Sequence, residues 1–199
     1  SLTLKKNRNN MSLSSLPQTR EFLVDRILKN YSNIFDKSTS EELALLKRHK
    51  VLRPVVYIGS GTCGMIAGAG RTTEAVRRYF ESRGIEGEIV ATGCLGLCSA
   101  EPLLDVQLPG KMRLSFRNAT EDKVESLLDS VFHHHPNPDT LLGQHRQGSA
   151  EEWPNIPGIE QLPFFARQHR IVLRNSGIIS PFEISDYIAH GGYKSLYKT

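Results

Sequence analysis

The sequence predicts an α/β domain over residues 54–132, a mixed sheet flanked by helices, and three observations predict it. "VVYIG" at 55–59 and "GEIVAT" at 87–92 are β-branched runs, and between them "RTTEAVRRYFES" places Ala75, Val76, Tyr79 and Phe80 on one helical stripe. Then "LLDVQL", a Pro109-Gly110 turn and "MRLSF" read as a hairpin. Finally "ATEDKVESLLDSVF" aligns Val124, Leu127, Leu128 and Val131 as the apolar face of a closing helix.

The 199 residues, 39% hydrophobic and 23% charged, suit one globular domain with flanking segments. No apolar run approaches the ~20 residues that cross a bilayer, so no membrane span is expected. The net charge is +4, and the opening "SLTLKKNRNN" concentrates Lys5, Lys6 and Arg8 without a balancing acid. That stretch reads as a solvated tail rather than a nucleic-acid arm, and no nucleic-acid partner is expected. It lacks the apolar core of a signal peptide, which makes a cytoplasmic address the expectation. Three cysteines, an odd number, argue against a disulfide scaffold and leave thiols free as buried fillers or metal ligands.

Upstream, residues 1–53 read as a helical arm. Leu23, Ile27, Tyr31 and Ile34 recur at helical spacing over 19–35, and in "STSEELALLKRHK" Ser38 precedes Glu41 by three residues as a capping box. Downstream, residues 133–163 carry five prolines and no sustained period, and read as a surface connector. His133, His134 and His135 close the preceding helix, where cationic side chains are welcome. Trp153 is equally consistent with a docking anchor and with burial against its own domain. Residues 164–199 open on the strand-like "RIVLRN" and continue in "SPFEISDYIAHGG", where Ser180 caps, Pro181 sits in the first turn and the Gly191-Gly192 pair stops the helix.

The chemistry gathers at "IGSGTCG", residues 58–64. Gly59, Gly61 and Gly64 have the spacing of a dinucleotide-binding turn, but that turn needs an acid about 20 residues on for the ribose, and the second strand ends instead in Thr92, Gly93 and Cys94. The cysteines account for more. Cys63 follows the first strand; Cys94 and Cys98 follow the second in "TGCLGLCSAEP". In a β-α-β unit the ends of adjacent parallel strands share one edge, so all three thiols converge there. Gly59, Gly61, Gly64, Gly93 and Gly96 surround them, and glycine allows backbone N–H groups to approach sulfur closely. Glu101, ahead of Pro102, reads as a loop residue that tunes the site's charge. No serine-histidine-acid arrangement can be placed on matching strand ends, and no catalysis is expected of the chain alone.

The order β-α-β, hairpin, α is that of a thioredoxin-like domain, and from about residue 55 to 132 the chain resembles the thioredoxin-like [2Fe-2S] ferredoxins. The resemblance implies that Cys63, Cys94 and Cys98 are metal ligands matching the family's second to fourth cysteines, while the first falls on Ile58, which has no donor atom. Residues 164–199, through "RIVLRNSGII" and "YIAHGGY", resemble the entry into the NADH-binding flavoprotein subunit of complex I-like NADH dehydrogenases, NAD-dependent hydrogenases and formate dehydrogenases. Resemblance implies partners among the subunits of a multisubunit redox complex. It also implies that the FMN, NADH and [4Fe-4S] sites belong to a domain downstream of residue 199, the chain being a fragment or a separate docking subunit. Two readings stand: an electron-transfer component with a [2Fe-2S]-type domain lacking one cysteine, and a cluster-free module that docks the NADH-binding subunit. Zinc and a redox thiol pair remain as lesser alternatives.

Overall fold

The computed structural model describes residues 21–30, 35–146, 148 and 150–196. Lys5, Lys6 and Arg8, and the Tyr31 and Ile34 positions of the first expected helix, lie outside the described residues.

Five strands form one mixed sheet in the order β2-β1-β3-β4-β5: β1 (Val55–Gly59), β2 (Glu88–Thr92), β3 (Leu104–Gln107), β4 (Arg113–Phe116) and β5 (Leu141–His145). β1 and β2 run parallel, with Gly59 opposite Thr92, and the remaining pairs are antiparallel. The β1–β2 crossover contains α2 (Thr62–Ala67) and α3 (Ala69–Arg83), and α4 (Val124–Phe132) follows the hairpin. α3 and α4 cover one face. Val56 and Ile58 of β1, Leu104 and Val106 of β3, and Leu114 and Phe116 of β4 point to that face and pack with Val76, Phe80, Leu127, Leu128 and Val131. Burying such side chains contributes roughly 1.5–3 kcal/mol each, so this layer is the main source of stability. The apolar stripes read from the sequence are the buried ones.

The opposite face is polar yet sealed. Tyr57, Asp105, Gln107, Arg113, Ser115 and His145 alternate with the core residues and are all buried. Arg113 pairs with Asp105 through Nε and Nη2, donates from Nη2 to the Gly177 carbonyl at 2.7 Å, and stacks with its Cζ 3.7 Å from the centre of the Tyr57 ring. Tyr57 donates to Gln107 at 2.6 Å, and Gln107 donates to the Arg48 carbonyl at 3.0 Å. The segment around Gly177 is thereby pinned onto the sheet.

Several expectations are corrected. The first helix is a π-type turn over Glu21–Leu28. The next, α1 (Lys37–Leu46), is capped by Asp36, whose carboxylate accepts from the Thr39 amide at 2.8 Å, not by Ser38. Residues 133–163 are more than a connector, since β5 pairs with β4 and Trp153 is buried, donating from its indole N–H to the Met112 carbonyl at 2.8 Å. "RIVLRN" forms turns rather than a strand, with Ile171, Val172 and Leu173 exposed. A short helix, α5 (Pro163–Ala166), precedes that segment, and the last helix, α6, spans only Ile184–Ala189. Its N-cap is Glu183, not Ser180, and Asp186 accepts instead from the Ser180 amide at 2.9 Å.

Phe22, Leu23, Ile27 and Leu28 pack with Leu43 and Leu46 of α1 and with Ile188 and Ala189 of α6. The first and last described segments therefore share one small core.

Candidate metal centre

Because β1 and β2 are parallel neighbours, the loops that leave their C-terminal ends rise side by side. Cys63 stands in the first turn of α2; Cys94 and Cys98 flank the loop between β2 and the short 3-10 turn Cys98–Ala100. Cys98 is the thiol that feels the other two. Interaction with Cys63 raises its pKa, interaction with Cys94 opposes that rise, and the nearby Glu101 charge adds to it. All three cysteines are free; Cys63 and Cys98 are exposed and Cys94 is half-buried.

The loops touch through glycine. A Cβ on Gly61 would lie 2.9 Å from the Cβ of Cys94, so only glycine lets the β1–α2 loop close against that cysteine. Gly96 adopts a φ of 93° and aims its amide at the Cys94 Sγ, 3.3 Å away. Gly59 and Gly64 lie on the other side, against the Glu101 carboxylate. A Cβ on Gly93 would meet only the Gly177 amide nitrogen, at 4.0 Å, so packing does not require a glycine there.

Glu101 lies in a loop, as expected, just after the 3-10 turn, but it is buried. It is 8% exposed. Its Oε2 accepts from the Leu103 amide at 2.8 Å, while Oε1 is buried without a hydrogen-bond partner. Burial pushes its pKa up, against the pull of the Leu103 amide. Ile58, one residue before Gly59, is 1% exposed and belongs to the helix-covered core.

Among the described residues no group of three or more His, Cys, Asp or Glu side chains is placed to hold a metal ion. The donors nevertheless suit a thiolate-bound group in kind. The sequence supplies three thiols, one already receiving an amide hydrogen bond, and Glu101, next but two after Cys98, holds a buried carboxylate oxygen that lacks a partner. A two-iron cluster divides its protein ligands between two metals, so it accepts a more open set than one ion does.

The structure does bring a serine, a histidine and an acid together, which the sequence did not foretell. Ser115 Oγ lies 2.8 Å and Asp105 Oδ2 3.6 Å from the same ring nitrogen of His145, Nε2. A relay needs the acid on one nitrogen and the hydroxyl on the other, so this buried group is structural.

Strand order, parallel β1–β2 pairing, antiparallel hairpin and the helices on one face define an α/β thioredoxin-like domain, with cysteine loops at the C-terminal ends of β1 and β2. The chain is related to the NADP-reducing hydrogenase subunit HndB of Solidesulfovibrio fructosivorans, at 26% identity over 93 residues, which are 46% of this chain and 74% of that protein. Among solved structures it is similar to the thioredoxin-like [2Fe-2S] ferredoxin of Aquifex aeolicus, at 11% identity and a TM-score of 0.40 over 51% of this chain and 100% of that one. A cysteine-to-serine variant of that ferredoxin gives 12% identity and a TM-score of 0.40, over 45% and 97% of the two chains. No family model matches the chain. Among the described residues no helix is long and apolar enough to cross a membrane.

Proposed function

We propose that the chain is an electron-transfer module of a multisubunit redox complex, holding a [2Fe-2S]-type group on Cys63, Cys94 and Cys98. The observation that supports this reading is that the loops carrying the three cysteines leave the ends of two parallel neighbouring strands, with the Gly96 amide 3.3 Å from the Cys94 sulfur. The relationship to a hydrogenase subunit supports the redox setting and a place among other subunits. When bound, such a group supplies a one-electron redox couple.

The chain's own residues set the terms of that couple. The Gly96 N–H withdraws charge from the Cys94 sulfur and so favours the reduced state. Gly61 holds the two loops together, and the buried Leu95 keeps solvent from the inner side of the loop. Exposed Cys63 and Cys98 face outward, where a docked redox partner would exchange the electron.

A specific observation favours the second reading, a cluster-free docking module. Ile171, Val172, Phe182, Ile184 and Leu196 are all at least 60% exposed, a large apolar surface for a chain of this size to leave in water. One experiment separates the two. Protein reconstituted anaerobically with iron and sulfide should absorb between about 400 and 600 nm and contain both elements. Cys94→Ala should abolish the colour. A colourless, iron-free parent protein leaves only the docking module.

A further inference from the structure

The sequence leaves the family's first ligand position on an isoleucine, and Ile58 is sealed in the core, so a fourth donor has to come from elsewhere. Among the described residues, Glu101 has the required features. Its side chain is more than nine-tenths buried, and Oε1 has no hydrogen-bond partner although it is cut off from water. A buried carboxylate oxygen left in that state costs free energy that a ligand would recover.

Its position is equally specific. A Cβ built on Gly59, the last residue of β1, would lie 3.2 and 3.3 Å from the two carboxylate oxygens. A Cβ on Gly64, directly after Cys63, would lie 3.1 Å from Oε2. The carboxylate thus fills the space between the end of β1 and the start of α2, the segment that carries Cys63, and its charge is felt at Cys98. The Leu103 amide fixes Oε2 and leaves Oε1 as the free donor.

We propose that Glu101 Oε1 is the fourth protein ligand, completing a three-thiolate, one-carboxylate set with Cys63, Cys94 and Cys98. This rests on the metal-centre reading above. Carboxylate oxygen is a harder donor than thiolate, so one iron would carry a mixed sulfur and oxygen set and the other sulfur alone. The two irons would then differ electronically.

The test is anaerobic reconstitution of the parent, Glu101→Gln, Glu101→Ala and Glu101→Cys, followed by iron and sulfide assay, visible absorption, electron paramagnetic resonance of the reduced protein and the rate of iron loss to a chelator. The parent should load. Glu101→Gln and Glu101→Ala should lose iron at least about tenfold faster, since even changes one shell out from a metal cost 10–100-fold in affinity. Glu101→Cys should retain iron and shift the absorption and resonance spectra toward those of four-thiolate sites. Should Glu101→Ala fail to fold by circular dichroism, the isosteric Glu101→Gln decides. A loaded parent with unchanged spectra and iron retention in Glu101→Gln overturns the ligand assignment alone. A parent that takes up no iron overturns the metal-centre reading and this inference with it.

Discussion

Arg48 Nη1 donates to both carboxylate oxygens of Asp186, each at 2.8 Å, and its Nη2 reaches Glu88 at 3.1 Å. One guanidinium therefore joins the end of the N-terminal helical region, the outer strand β2 and the last helix. The pair is well buried, with side-chain exposures of 12% for Arg48 and 3% for Asp186. Removing one member of such a pair leaves an uncompensated charge, which typically costs about 3–5 kcal/mol. Asp186→Ala should lower the urea midpoint accordingly, more than Lys29→Ala, whose partner Asp25 is exposed on the same helical turn. Equal effects would deny the Arg48–Asp186 pair its structural role.

Acid should weaken the fold in two stages. Burial alone would push the Asp105 carboxyl up, but Arg113 and His145 outweigh it and hold the pKa at about 2. The unfolded chain, with an ordinary carboxyl near ~3.9, takes up that proton first as pH falls, so the stabilisation is complete above about pH 4 and lost on approaching 2. Burial holds His145, His190 and His49 below the usual imidazole range. They stay neutral in the fold while the unfolded chain charges below about pH 6.5, so an earlier loss begins there. Melting temperatures at pH 7, 5 and 3 should fall at each step. Asp105→Asn should flatten the lower stage, at a general cost in stability.

Trp153 is the only tryptophan in the chain, 4% exposed, and stacks beside His134 with ring centres 5.6 Å apart. Its emission should be blue-shifted in the fold and move red on unfolding, reporting the β4–β5 side of the sheet. Trp153→Ala should cost about 3–5 kcal/mol, as large aromatic deletions from a core do. A native emission spectrum matching free indole in water would contradict the burial.

Two glycines should separate fold from site. A Cβ on Gly64 would overlap the Gly59 carbonyl oxygen, which neither backbone can relieve cheaply, so Gly64→Ala should destabilise by about 3 kcal/mol. A Cβ on Gly61 meets the Cys94 side chain instead. Gly61→Ala should therefore leave the melting temperature within a few degrees of the parent while accelerating iron loss from reconstituted protein. Iron retention equal to the parent's would show that the two loops need not touch.

Much of the sheet and its helical cover was legible because the apolar spacing of β1, α3 and α4 is regular and each periodic residue is buried. That the loops carrying Cys63, Cys94 and Cys98 leave adjacent strand ends was legible for a topological reason, the parallel pairing that sets Gly59 opposite Thr92. β5 was not, since "LLGQH" has no alternation and contains Gly143, against whose α-carbon the Pro157 carbonyl packs. The polar face was hidden by its own regularity. Asp105, Gln107, Arg113 and Ser115 alternate with apolar neighbours as a solvent-facing set would, and only the pairing of Arg113 with Asp105 and Gly177 makes their burial tolerable. The burial of Glu101 was not legible, because the carboxylate packs against two glycines distant from it in sequence, Gly59 and Gly64.

The packing of Ile188 and Ala189 against Leu23, Ile27, Leu43 and Leu46 has a practical bearing on how the molecule can be divided. A shortened chain that begins at residue 54 would expose the apolar side of the final helix, and one that stops before residue 164 would strip cover from the opening helices. Trimming to 54–132 would also discard β5 and the indole beneath it, leaving β4 as a bare rim prone to pairing with another molecule. The smallest piece that behaves well in solution should therefore carry both ends.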